Sequence, residues 1–196
     1  MAFRALRPLS RPAAAAAAAA IPRAPTAAAA ASTSSIRRQF LHATPRAFVK
    51  VGDAIPDLEV LVEDSPGNKL SLAKELASTP KAVIVGVPAA FSGACSTTHV
   101  PGYINHPKLR EAGKVFVVSV NDPFVMKAWG EQLDPTKSSG IRFLGDPTGE
   151  FTKALDLGFD AYAIFGGMRG KRYALLVEDG KVKSAHVEPD NTGTNG

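Results

Sequence analysis

Cys95 is the only cysteine among 196 residues, and it lies in Pro88-Ala-Ala-Phe-Ser92-Gly-Ala-Cys95-Ser-Thr-Thr-His-Val-Pro101, three residues after a hydroxyl and seven after a proline. A thiol attacks as its thiolate, and a thiolate is favoured where free amide N–H groups and the positive end of a helix converge. A single cysteine cannot form a disulfide within its own chain, so any oxidised product must be resolved by another molecule. Unpaired cysteines are also among the most buried residue types and commonly act as small hydrophobes. The residue alone therefore decides nothing, and its surroundings must.

Those surroundings place it at a strand-to-helix turn. Lys81-Ala-Val-Ile-Val-Gly-Val87 is a short β-branched run of the kind that forms a buried strand, and Pro88 ends it because proline has no N–H for the ladder. Ser92, Gly93, Ser96, Thr97 and Thr98 are turn and N-cap formers where a helix should begin, so Cys95 falls in or near the first helical turn. Leu58-Glu-Val-Leu-Val62 reads as an early strand and Lys114-Val-Phe-Val-Val-Ser-Val120 as a second buried one. Pro123 opens a helix running to about Leu133, with Phe124, Ala128 and Leu133 on its apolar side. Arg142-Phe-Leu144 is a short strand, and Asp146-Pro-Thr-Gly149 punctuates before a helix over 150–157. Tyr173-Ala-Leu-Leu-Val177 and Lys181-Val-Lys-Ser-Ala-His-Val187 read as a hairpin turning at Asp179-Gly180. Two β-α-β crossings and a closing hairpin imply an α/β domain with a mixed central sheet flanked by helices.

The Pro88, Ser92 and Cys95 spacing resembles the Pro-x-x-x-Thr/Ser-x-x-Cys loop of the peroxiredoxins, in their type II or peroxiredoxin-5-like branch. The likeness continues through His99-Val-Pro-Gly-Tyr103, Ser119-Val-Asn-Asp-Pro-Phe-Val125, Trp129-Gly130, Asp146-Pro-Thr-Gly149, Ile164-Phe-Gly166 and Val187-Glu-Pro-Asp190, most of the chain from Val51 to Asp190. It is that of a fungal-like, mitochondrial one-cysteine form. The resemblance implies a thioredoxin-like fold and a thiol peroxidase acting on hydrogen peroxide and organic hydroperoxides, with no cofactor and no metal. Such chemistry needs an ionised sulfur and donors that follow charge onto the leaving oxygen. The backbone N–H groups around Gly93 to Cys95 and the Ser92 hydroxyl meet the first need, with Ser92 as donor to the peroxide.

An arginine suits the second need, because guanidinium is permanently charged and forked. Arg169 and Arg172, in Gly166-Gly-Met-Arg-Gly-Lys-Arg-Tyr173, both qualify by residue type. In the resembled family the site arginine directly precedes the aromatic that starts the next strand, which selects Arg172 and leaves Arg169 to a solvated or helix-capping role. Pro88 is expected to shield the sulfur. Ser92 stands where most of the family has threonine, keeping the hydroxyl but losing the methyl that stiffens χ1, so a looser peroxide pose is expected. Gly93 stands where many relatives have proline.

Residues 1–47 hold seven arginines, no lysine and no acidic residue, with alanine runs at 13–20 and 27–31 and a Ser/Thr cluster at 32–35. An arginine-rich, acid-free N-terminus predicts a disordered mitochondrial presequence, and Arg37-Arg38-Gln39-Phe40 resembles a processing site, with a second trimming point near Phe48. Pro22, Arg23 and Pro25 interrupt any secretory apolar stretch. Seven of the 23 basic residues lie there, so the remainder has 16 against 18 acidic residues, and no basic stripe suggests nucleic acid or membrane as a partner. Residues 48–196, sufficient for one core, are expected to form the thioredoxin-like domain, and comparison with the resembled family leads to the expectation that its C-terminal helix is missing.

Other residues invite weaker readings. His99, four after Cys95, is a candidate general base but more simply lines its helix or a partner surface. Asp122, Asp146 and Asp160 have no histidines at metal-ligand spacing. Phe91, Phe124 and Trp129 read as core or interface aromatics, with Phe91 and the 121–125 turn placed at the family's homodimer contact. The expected reductant is an external thiol, glutathione with glutaredoxin, or thioredoxin. The competing classes are a disulfide oxidoreductase, which the missing Cys-x-x-Cys disfavours, and a binding or holdase protein without turnover.

Overall fold

The computed structural model describes residues 48–189. The presequence reading of residues 1–47, and the residues from Asp190 onward, lie outside the described residues. The elements follow in order as β1 (Leu61–Val62), β2 (Lys69–Leu70), α1 (Leu72–Leu76) and β3 (Lys81–Gly86). A π-helical turn (Cys95–His99) runs into α2 (Val100–Ile104), and a 3-10 turn (Leu109–Ala112) leads to β4 (Lys114–Ser119) and α3 (Pro123–Leu133). Then come β5 (Arg142–Gly145), α4 (Glu150–Ala154), β6 (Gly158–Asp160), α5 (Tyr162–Phe165), β7 (Met168–Gly170), β8 (Tyr173–Glu178) and β9 (Lys181–Val187).

Seven strands form one mixed sheet in the order β2-β1-β5-β4-β3-β8-β9, and β6 and β7 form a separate two-stranded one. β3, β4 and β5 are parallel neighbours, as their helical crossovers require, whereas β8 returns antiparallel beside β3, pairing Ile84 with Leu175 and Gly86 with Tyr173. Alternation along β3 sends Ala82 and Ile84 to one face and Val85 to the other. The first face meets α1 and α4 through Leu72, Leu76, Phe151 and Leu155; the second meets the π-helical turn, α2 and α3 through Cys95, Val100, Met126 and Trp129. At the Gly86–Tyr173 pair a Cβ would fall 2.0 Å from the tyrosine ring, so glycine is what lets β8 close against the strand that leads into the cysteine loop.

The β8–β9 hairpin turns at Asp179 and Gly180, both with positive φ (50° and 74°), the type I′ geometry expected of Asp-Gly. α3 spans Pro123 to Leu133 as expected, with Asp122 capping Phe124 N and Val125 N at 2.9 Å each. Its buried face is different from the expected one: Met126, Trp129 and Gly130 are buried and Leu133 packs against them, while Phe124 is 62% exposed and Ala128 is exposed. The core-facing i, i+3, i+4, i+7 set is Met126, Trp129, Gly130 and Leu133, and Phe124 and Ala128 lie off that stripe. The early strand is two residues rather than five. The fourth helix ends at Ala154 rather than residue 157, because the chain reverses through Asp156 at φ 56°.

Candidate active site

β3 delivers the chain to buried Pro88, and the loop that follows is held from the α3 side: Ala90 N donates to Asn121 Oδ1 at 3.1 Å, and Ser119 Oγ donates to the same oxygen at 2.8 Å. Phe91 sits at φ 59°, a left-handed conformation unusual for a bulky residue, with its ring half out of the protein and tilted toward Trp129, 6.5 Å between centroids. The Trp129 indole N–H donates to Ser96 Oγ at 3.0 Å, pinning the residue next to the cysteine. Cys95 opens the π-helical turn and is 1% exposed. The turn's five-residue spacing is closed by Val100 N donating to Cys95 O.

Arg172, the residue just before β8, reaches across to this turn. Its Nη1 lies 3.4 Å from Cys95 Sγ and 2.9 Å from His99 Nδ1, and its Nε donates to Glu188 Oε2 at 3.0 Å. Glu188 also donates its backbone N–H to the Arg172 carbonyl, so side chain and main chain are held by the same residue. Arg172 is 5% exposed, which makes a charged group at this depth dependent on such partners. Burial, with the Arg172 charge beside it, pushes His99 down to about 4 from the usual histidine value. Its ring stands edge-on to Tyr103, 5.5 Å between centroids, and burial pushes the Tyr103 phenol up. A groove of about 500 Å³ lined by His99, Arg172, His186, Glu188 and Pro189 opens beside the guanidinium.

The geometry brings Cys95 and Arg172 together and leaves Arg169 elsewhere. Arg169 donates to the carbonyls of Val120 and Phe165, the latter the last residue of α5, which is a capping and tethering role. Ser92, expected as a donor, gives its one hydrogen to the Ala89 carbonyl at 2.9 Å, which leaves its lone pairs to offer. The three aspartates weighed as metal ligands are helix and turn caps instead: Asp122 for α3, Asp146 for Phe151 N and Thr152 N, and Asp160 for Tyr162 N. The sequence assigned no role to Glu188, placed Asn121 only in a turn at a homodimer contact rather than under the cysteine loop, and offered no link from His99 to Arg172. His99, Asn121 and Glu188 all lie in segments that carry the likeness, His99-Val-Pro-Gly-Tyr103, Ser119-Val-Asn-Asp-Pro-Phe-Val125 and Val187-Glu-Pro-Asp190, but no local pattern shows which residue each one touches.

A model of the redoxin family matches residues 50–195. The chain belongs to the redoxin family, as a peroxiredoxin. "Peroxisomal membrane associated protein 20" of Schizosaccharomyces pombe is 44% identical over 147 residues, which cover 74% of this chain and 90% of that protein. The crystal structure of peroxiredoxin 5 from Alvinella pompejana superposes with a TM-score of 0.65 at 38% identity, covering 74% of this chain and 93% of its own. Reduced Prx3 of Vibrio vulnificus, solved in complex with H2O2, gives a TM-score of 0.65 at 34% identity over 74% and 92%. This peroxiredoxin has the thioredoxin-like fold that its sequence suggested, and it is a thiol-dependent peroxidase and an oxidoreductase. Its single cysteine fits a one-cysteine form.

Proposed function

We propose that Cys95 is the peroxide-attacking nucleophile, and the observation that carries this is the Arg172 Nη1 lying 3.4 Å from its sulfur. The thiolate forms an S–O bond with one peroxide oxygen while the O–O bond breaks. Sulfur is oxidised to the sulfenic acid, and the second oxygen leaves as hydroxide or alkoxide and takes up a proton to become water or alcohol. Arg172 stabilises charge on the sulfur and then on the leaving oxygen. Ser92 accepts the peroxide's hydrogen with the lone pairs left by its bond to Ala89, and buried Pro88 keeps bulk water from the sulfur. Recovery takes two external thiol equivalents: the first forms a mixed disulfide with Cys95 and releases water, and the second returns the thiol and leaves with the first as a disulfide. The groove beside Arg172 gives a small thiol such as glutathione room to approach, with glutaredoxin or thioredoxin as the protein alternatives. In rapid mixing of the reduced protein with one equivalent of H2O2, one thiol is lost per chain and a sulfenic acid is trapped at Cys95. Failure to lose it within seconds rejects the assignment. Turnover with glutathione and glutaredoxin, set against thioredoxin and its reductase, identifies the reductant.

We also propose a homodimer. Phe91, Phe124 (62% exposed), Tyr162, Ile164 (70%) and Met168 project from the cysteine loop, the start of α3, α5 and β7. The Ala90–Asn121 and Arg169–Val120 hydrogen bonds tie these segments into one end of the domain. Sedimentation equilibrium is expected to return twice the chain mass, and Phe124→Glu to return the single mass; a monomer in the unmodified protein ends the idea. The acid-free segment 1–47 supports delivery to mitochondria, while the fission-yeast relative bears a peroxisomal name. Among the described residues no helix is long and apolar enough to cross a membrane. A fluorescent reporter carrying residues 1–47 should colocalise with mitochondria, and peroxisomal or diffuse signal would count against this address.

A further inference from the structure

We infer that His99 is a positioning residue, whose unprotonated Nδ1 holds the Arg172 guanidinium so that the same Nη1 directs its second N–H at Cys95 Sγ. Guanidinium has five donors and no acceptor, so a 2.9 Å contact between Arg172 Nη1 and His99 Nδ1 requires the imidazole lone pair to point at the arginine and the ring proton to sit on Nε2. Nη1 carries two hydrogens in one plane. With one committed to His99, the rotation of the fork is fixed and the other is left facing the sulfur at 3.4 Å. Glu188 takes Nε from the far side, so the arginine is clamped by groups from separate elements, one on the π-helical turn and one after β9.

The fold supports this arrangement. The π-helical turn puts positions 95 and 99 on one side, and the Tyr103 ring, edge-on to His99, limits how the imidazole can swing. Among the described residues the groups in contact with the ring are Arg172, from the segment leading into β8, and Tyr103, from α2, while His186 and Glu188 line the groove that His99 shares and Cys95 lies on the same turn as His99. Glu188 is linked to the ring through Arg172. Burial and the neighbouring cation keep His99 in its acceptor form at neutral pH. A proton there would abolish the bond and set two cations together.

The inference rests on the roles proposed for Cys95 and Arg172, and the variants separate the two. In His99→Asn the side-chain oxygen occupies the place of Nδ1, whereas in His99→Gln it lies one carbon further out. The Asn variant is expected to keep its rate of oxidation by H2O2 within about threefold of wild type, and the Gln variant to lose about tenfold or more, the scale of a hydrogen bond to a charged group. A second readout is stability against pH. His99 titrates at about 4 when folded and near 6.5 when unfolded, so the unfolded chain binds more protons in between. Stability is then full above 6.5 and falls as pH drops towards 4, in wild type but not in the Asn variant. Equal rates for Asn and Gln, or an unchanged acid loss of melting temperature in Asn, would overturn the inference. If instead Cys95→Ser consumed peroxide like wild type, it is the Cys95 assignment that fails.

Discussion

Cys95→Ser is expected to abolish peroxide reduction, lowering the rate by about four orders of magnitude or more, the scale on which removing a nucleophile acts. The change replaces sulfur by oxygen in a side chain that is 1% exposed, in a turn held by Trp129 through Ser96 and by Asn121 through Ala90, so the fold has little reason to respond. What is lost is chemical. A serine hydroxyl ionises far above neutral pH and its oxygen forms no stable adduct with peroxide oxygen, whereas a thiol ionises far more easily and its sulfur takes up the oxygen as a sulfenic acid. Peroxide consumption measured beside an unchanged thermal melt checks this. Residual turnover at a tenth of wild type would sink the single-nucleophile cycle, because no second thiol exists in the chain to take over.

Arg172→Gln is expected to slow oxidation of Cys95 by about 10²- to 10³-fold, as removal of one preorganised donor to developing charge does. Glutamine retains a donor amide but neither the charge nor the fork. Three contacts go at once: to Cys95 Sγ, to His99 Nδ1 and to Glu188 Oε2. Breaking a buried ion pair from one side costs up to about 3–5 kcal/mol, so a lower melting temperature is expected as well, and the rate must be read well below it. Arg172→Lys separates charge from geometry: a point charge on a flexible stem cannot meet all three partners together, so it should recover only part of the loss. A Lys variant as fast as wild type would mean that charge alone suffices and that the clamp by His99 and Glu188 is incidental. The full Gln effect should persist at high salt, because the site is buried beyond the reach of screening ions.

Where local physics dominates, the fold was readable from the chain. β-branched runs specify β3 and β4, proline and an aspartate cap bound α3, and Asp179-Gly180 sets the hairpin, because each depends on a few neighbouring residues. The buried face of α3 was not readable. Met126 and Trp129 are chosen over Phe124 and Ala128 by where the helix lies on the sheet, which only the tertiary fold decides. The same holds for β6 and β7, three residues each and separated by α5, whose pairing has no hairpin signature. At the site, the meeting of Arg172 with Cys95 was expected from the likeness, which also marked Pro88 and Ser92 on the same loop. The grip of His99 and Glu188 on Arg172 was not, since it joins residues 73 and 16 positions away from the arginine. A π-helical turn has no reliable local code, and without it the relation of residue 99 to residue 95 is that of any helical i, i+4 pair.

The position of β8 beside β3 bears on when the reactive centre comes into being. Cys95 follows β3 by nine residues, but the arginine that faces it is 77 residues later, carried in only when β8 pairs antiparallel with β3 as that strand's second neighbour. Closing so long a loop is an entropic cost met late, after the nearer contacts of β3 with β4 have formed. A chain emerging from the ribosome thus carries its cysteine for about half of the domain's length before its cationic partner exists. On the roles proposed for Cys95 and Arg172, reactivity is a property of the closed sheet, and a contiguous fragment ending before residue 172 is expected to lack it.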